Sequence, residues 1–178
     1  MTPAPAREPD PPEYRTPRLR VRREYGVLPD GRHVAFHAVR VPSVAYVLPL
    51  LDDGRVVLIR QYRPVVGAEI WERPAGTIEA GESAETCAHR ELAEEAGYAA
   101  GRLEALGEAW ADPGLTDERI FLFVARDLRP VARDLDADEH IRVVPVALEE
   151  AYRMVDAGEI VDAGTLIALL RFRSRPVR

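Results

Sequence analysis

The chain reads as an α/β protein, either α+β or an α/β/α sandwich. Three observations predict this: short strand-like runs precede and follow one well-marked helix, two more helical patterns close the chain, and no internal repeat divides it. A β-hairpin is predicted ahead of the main body, which sets three segments: a Pro-rich leader over 1–17, a hairpin over 18–40 and one domain over 41–178. A length of 178 residues suits one domain with a real core.

In order, the leader holds six prolines in its first 17 residues and has little to bury, which predicts disorder. Arg18 to Val27 and His33 to Val39 alternate around a Pro29-Asp30-Gly31 turn, as a hairpin does. Val44 to Leu50 is a strongly apolar strand, which Asp52-Asp53-Gly54 turns back into a second strand over Val56 to Gln61. Glu69 to Glu72 is short and extended, and Pro74-Ala75-Gly76 reads as a turn. A helix follows, with Ser83 as its N-cap and Gly97 ending it in the left-handed region. Ala84, Cys87, Ala88, Leu92 and Ala96 form its inner, packing face, and the outer face is expected to carry carboxylates. Leu103 to Ala111 and Arg119 to Val124 are strands around the loop Asp112 to Glu118. Asp134 to Glu139 is an acidic loop before a strand over Ile141 to Val146. Leu148 to Ala157 and Thr165 to Arg173 are helices, the second capped by Asp162.

Composition excludes several functions. There is no lysine, so a P-loop lysine, a Schiff base and a lysine-dependent kinase site are ruled out. A net charge of −6 argues against general nucleic-acid binding, which needs a basic footprint. No apolar run is long enough to span a membrane and the N-terminus lacks a signal-peptide h-region, which predicts a cytoplasmic protein. The lone Cys87 has no partner for an internal disulfide and reads as buried filler; Tyr62 and Trp71 read as core aromatics, and His89 as a surface residue.

The chemistry concentrates in the central helix. Glu91, Glu94 and Glu95 stand three and four residues apart, so they crowd one side of a helix that gains nothing intrinsic from their repulsion. A hard cation such as Mg2+, Mn2+ or Ca2+ explains the crowding; the alternative is a solvated acidic face. Arg90 lies at i,i+4 to Glu94 and steadies it.

Gly76, Glu82, Arg90, Glu91, Leu92, Glu94, Glu95 and Gly97 stand in the register G-x5-E-x7-R-E-U-x-E-E-x-G-U, with Tyr98 the single departure at a packing position. This pattern resembles the Nudix box, and the resemblance implies an α/β/α sandwich with a mixed sheet. It also implies metal-assisted hydrolysis of a diphosphate linkage, with Glu91 and Glu95 as principal ligands and Glu94 joining them or acting through water. Glu79 and Glu82 are weaker candidates.

Further segments resemble the ADP-ribose pyrophosphatase branch of that family. They are Arg60-Gln61-Tyr62-Arg63, Trp71 to Gly76, the loop Pro113-Gly114-Leu115-Thr116-Asp117-Glu118, and Gly158 to Thr165. By this resemblance the Ala75 carbonyl is a further metal ligand and roughly two or three Mg2+ ions are bound, with Mn2+ as an alternative. Arg60 and Arg63 are candidates to grip phosphates, because guanidinium forks suit that geometry. Glu72 is a candidate acceptor from base or ribose, and Pro113, Gly114 and Glu118 are candidates in the substrate loop. Glu139 is the expected catalytic base, with Asp138 behind it. A homodimer is implied, in which the N-terminal hairpins exchange contacts and complete the site. The implied substrate is ADP-ribose, split to AMP and ribose 5-phosphate. Another nucleoside diphosphate sugar, such as a GDP- or UDP-hexose, and a non-catalytic ligand sensor are the alternatives.

Overall fold

A computed structural model describes residues 13–135 and 140–175. They divide into two compact units, one of residues 13–43 with Trp110–Arg119, the other of Val44–Ala109 with 120–135 and 140–175.

The first unit is built on a three-stranded antiparallel sheet. Strand β2 (Arg20–Val27) pairs with β3 (His33–Arg40) over their whole lengths, Arg20 opposite Arg40 and Val27 opposite His33. The Leu28 amide donates to the Arg32 carbonyl at 2.9 Å and closes the predicted turn. A short strand β1 (Tyr14–Arg15) adds to the outer edge of β2, which corrects the expected leader boundary. Tyr14 is a strand-favouring residue, and the nearest prolines, Pro12 and Pro17, lie outside the two paired positions. Residues 1–12 of that leader lie outside the described residues. Within the unit, Arg40 joins the buried Glu24 to Asp117 of the 110–119 loop, donating to Asp117 Oδ2 at 3.0 Å.

The second unit is an α/β/α sandwich. Strand β4 (Val44–Pro49) runs parallel to β9 (Arg119–Pro130) and antiparallel to β7 (Ala75–Thr77), in the order β7-β4-β9-β8, with β8 spanning Tyr98–Trp110. A second, antiparallel sheet orders β10 (Ile141–Ala147), β5 (Arg55–Arg63) and β6 (Ala68–Glu72). Because strand side chains alternate, each central strand serves two cores. Ala45, Val47, Val57 and Ala125 pack with Cys87, Ala88 and Leu92 of helix α1 (Ala84–Ala96). Leu48, Leu58, Leu122 and Val124 pack instead with Ala151 and Met154 of α2 (Leu148–Asp156) and with Ala168 and Leu169 of α3 (Ala163–Arg173). Truncating a fully buried side chain such as Leu92 to alanine costs about 2–5 kcal/mol in such a core.

The caps of α1 follow from sequence. Ser83 accepts from the Thr86 amide at 3.0 Å, and Gly97 takes the left-handed conformation at φ 74°. Three readings are corrected. Ala75–Thr77 is not a turn but strand β7, since a neighbour strand is there to accept its backbone groups. Tyr62 is exposed rather than core: it is still paired with Glu69 of β6 near the end of β5, but its side chain stands on an uncovered part of the sheet. The carboxylates of α1 do not all lie outward: Glu91 and Glu95 are buried, and only Glu94 is half-exposed. At about 100° per residue, Glu91 and Glu95 fall between Cys87 and Ala88, within the packing face itself.

Candidate active site

Arg90 is the hub of the acidic helix. Its Nε donates to Glu82 Oε1 at 3.0 Å and its Nη2 to Glu82 Oε2 at 3.1 Å, a two-pronged pair across the loop that precedes α1. Its Nη1 donates to Glu91 Oε1 at 2.5 Å and to Glu94 Oε2 at 3.0 Å. Its Nη2 also reaches the Thr77 carbonyl of β7 at 3.1 Å. One guanidinium thus gathers three carboxylates and ties them to the strand beside them. These bonds hold the Arg90 guanidinium charged more firmly than usual, and the same pairing holds the Glu82 carboxyl below the ordinary range. From the sequence alone Glu82 is a weaker candidate; its signal is its fixed distance before Arg90.

Strand β7 supplies the other wall. The Ala75 amide donates to Glu95 Oε2 at 2.7 Å. Gly76 lies so close to Glu91 that a Cβ there would overlap the carboxylate, so glycine is required by the approach of helix to strand. Cys87 is fully buried beneath them, and burial pushes its thiol up to about 12, which makes it packing rather than nucleophile.

Glu91, Glu94, Glu95 and the β7 backbone are brought together on one side of α1. Among the described residues, no three His, Cys, Asp or Glu side chains converge as a closed cage; Arg90 bonds to oxygens of Glu91 and Glu94, and the Ala75 amide to one of Glu95. The donor set fits a hard divalent ion in kind: the carboxylate oxygens of Glu91, Glu94 and Glu95, with Gly76 of β7 in close approach to Glu91.

A second constellation adjoins β7 in sequence. Arg63 donates both Nε and Nη2 to the two oxygens of Glu72, each at 2.7 Å. Glu72 is buried, so both its oxygens face guanidinium groups rather than open solvent. This pairing raises the Arg63 guanidinium, with Glu95 and Asp162 adding at longer range. Arg60 donates to the Glu69 carboxylate at 2.7 Å and to its carbonyl at 3.1 Å, and lies over the Trp71 ring. Arg73, which the sequence did not single out, is buried against Tyr46 and bonded to Asp162.

Pro113, Gly114 and Glu118 lie in the 110–119 loop of the first unit. There the Leu115 and Thr116 amides both donate to the Asp112 carbonyl, and the Ala111 amide donates to the Glu118 carbonyl at 3.1 Å. The expected base Glu139 and its neighbour Asp138 lie outside the described residues.

The NUDIX domain profile matches residues 40–167. An ADP-ribose pyrophosphatase of Bacillus subtilis (strain 168) is 37% identical over 144 residues, 80% of this chain and 78% of that one. A methanol dehydrogenase activator of Bacillus methanolicus is 35% identical over 144 residues, with the same coverage. A crystal structure of an ADP compounds hydrolase superposes with a TM-score of 0.80 at 23% identity, covering 94% of both chains, which is a likeness of fold.

Proposed function

The chain belongs to the NUDIX family, and on that premise we propose that it hydrolyses the diphosphate bond of ADP-ribose to AMP and ribose 5-phosphate. The observation that carries the reaction type is the Arg90-centred cluster of Glu82, Glu91 and Glu94, set against β7 with Glu95 on the Ala75 amide. The relative from Bacillus subtilis, similar over most of both chains, supports the substrate.

Glu91, Glu95 and the Ala75 carbonyl would hold Mg2+, in roughly two or three sites with Glu94 as a further ligand and Mn2+ as a substitute. When bound, such ions neutralise phosphate oxygens and acidify water. The chain's own residues do the rest. Arg90 keeps the carboxylates gathered although they repel. Arg63, half-exposed and pre-oriented by Glu72, faces the diphosphate, and Arg60 extends that basic edge. Pro113, Gly114 and Glu118 contribute the substrate loop. Glu139, two residues before β10 in sequence, takes the proton from the attacking water. The active form is a homodimer in which the β2–β3 hairpin takes part.

A panel of nucleoside diphosphate sugars with Mg2+, scored for released monophosphates, tests this. ADP-ribose is expected to give the highest kcat/KM, with AMP and ribose 5-phosphate in equal amounts. A GDP- or UDP-hexose turned over faster would reassign the substrate. Binding of ADP-ribose with no product from any compound would make the protein a sensor. Among the described residues no helix is long and apolar enough to cross a membrane.

A further inference from the structure

The segment Gly158 to Thr165 lies far in sequence from the acidic helix, yet it holds the strand that faces it. Asp162 Oδ2 caps α3, accepting from the Thr165 amide at 2.7 Å and from the Thr165 hydroxyl at 2.6 Å. The same oxygen accepts from Arg73 Nη1 at 3.0 Å. The Thr165 oxygen in turn accepts from the Arg73 backbone amide at 3.1 Å. Arg73 and Thr165 are buried, and the Arg73 guanidinium lies 3.4 Å over the Tyr46 ring of β4. From Arg73 the constraint runs two ways. Forward, the Pro74 carbonyl accepts from the Val47 amide at 3.0 Å, and the next amide, Ala75, meets Glu95. Backward, Arg73 Nη1 lies 3.4 Å from Glu72 Oε2, and Glu72 orients Arg63.

We infer that Asp162, Thr165 and Arg73 form a positioning clamp, anchoring residues 72–75 to the N-terminus of α3 so that Ala75 meets Glu95 and Glu72 meets Arg63. The inference rests on the proposed reading of Ala75 and Glu95 as metal ligands. A stability role alone would ask only for a filled, satisfied core. The clamp instead sets a buried guanidinium, paired with a partly exposed carboxylate, and a buried hydroxyl on the backbone immediately before β7, where a small displacement moves the Ala75 carbonyl and the Glu95 carboxylate together. Groups that orient ligands from behind are felt in metal affinity as well as in rate.

The test uses the full chain with Thr165→Val, which keeps volume and removes the hydroxyl, and Thr165→Ser, which restores it. Three readouts are taken: Mn2+ affinity by calorimetry, hydrogen exchange of the Ala75 amide by NMR, and kcat and KM for ADP-ribose. Thr165→Val is expected to weaken Mn2+ binding by about tenfold, to speed Ala75 exchange relative to β4 amides, and to lower kcat by at least about tenfold. Thr165→Ser is expected to return all three towards wild type. Asp162→Asn, which keeps an acceptor for the helix cap but removes the charge facing Arg73, serves if Thr165→Val fails to fold; the same direction is expected. A lowered Tm with unchanged Mn2+ affinity and unchanged Ala75 exchange overturns the clamp. Glu95→Gln is run alongside: if it too binds Mn2+ like wild type, the metal-site reading fails, whereas a defect there with normal Thr165→Val overturns the clamp alone.

Discussion

Arg90 sits where three carboxylates would otherwise repel one another, and its five donors explain how Glu82, Glu91 and Glu94 share one corner. The cluster's readiness for a cation follows: each carboxylate is already oriented, and exchange of partners replaces a large folding rearrangement. Replacing Glu91 or Glu95 by Gln is therefore expected to lower turnover by at least about a hundredfold with the fold retained, since a hard anionic donor is lost. Circular dichroism together with a Mg2+ titration of activity checks this, and near-normal turnover in both variants would remove them from the site. The base is a separate residue. Glu139→Gln is expected to lower kcat strongly, to leave affinity for a non-hydrolysable ADP-ribose analogue nearly unchanged, and to resist rescue by excess Mg2+. If Asp138→Asn has that phenotype instead, the base is one residue earlier.

Among the elements, the hairpin carries its own electrostatic lock. Arg40 donates two N–H groups to Glu24, one to Oε1 at 2.9 Å and one to Oε2; Glu24 is largely shielded from solvent while Arg40 stays partly exposed. These bonds hold the Glu24 carboxyl below its ordinary range. A depressed folded value means the contribution to stability is fully present above the unfolded pKa of about 4.3 and is lost as pH falls through the folded value. Glu24→Gln is accordingly expected to lower Tm near neutral pH and to shrink the fall of Tm between about pH 5 and pH 3. Thermal melts across that range decide it: an undiminished acid slope would assign the transition to other carboxylates.

For the whole molecule, the proposed dimer makes the N-terminal strands part of function. Deleting residues 1–12 is expected to leave the oligomeric state and turnover unchanged, since a Pro-rich segment has little apolar surface to bury. Deleting through Val39 removes β2 and nearly all of β3, leaving Arg40 without Glu24. That form is expected to be monomeric and to show a raised KM or no activity. Light scattering paired with kinetics checks both, and a fully active monomer from the longer deletion would detach the hairpin from the site.

The sequence by itself determined the acidic helix, its Ser83 and Gly97 caps, the spacing that places Arg90 among glutamates, and the order of strands around them. These are local quantities: periodicity, capping and turn chemistry act within a few residues. Only the tertiary structure decided that Glu91 and Glu95 turn inward beside a strand, that this strand is Ala75–Thr77, and that β4 lies parallel to β9, although 76 positions separate Val44 from Ile120. It also decided that Arg73 would find Asp162, and that Tyr62 would stand in solvent while Glu72 was buried. Those outcomes depend on which surfaces meet after the chain has closed long loops. No propensity of Arg73 or Tyr62 alone encodes that, because either residue is as much at home on a surface as in a satisfied core.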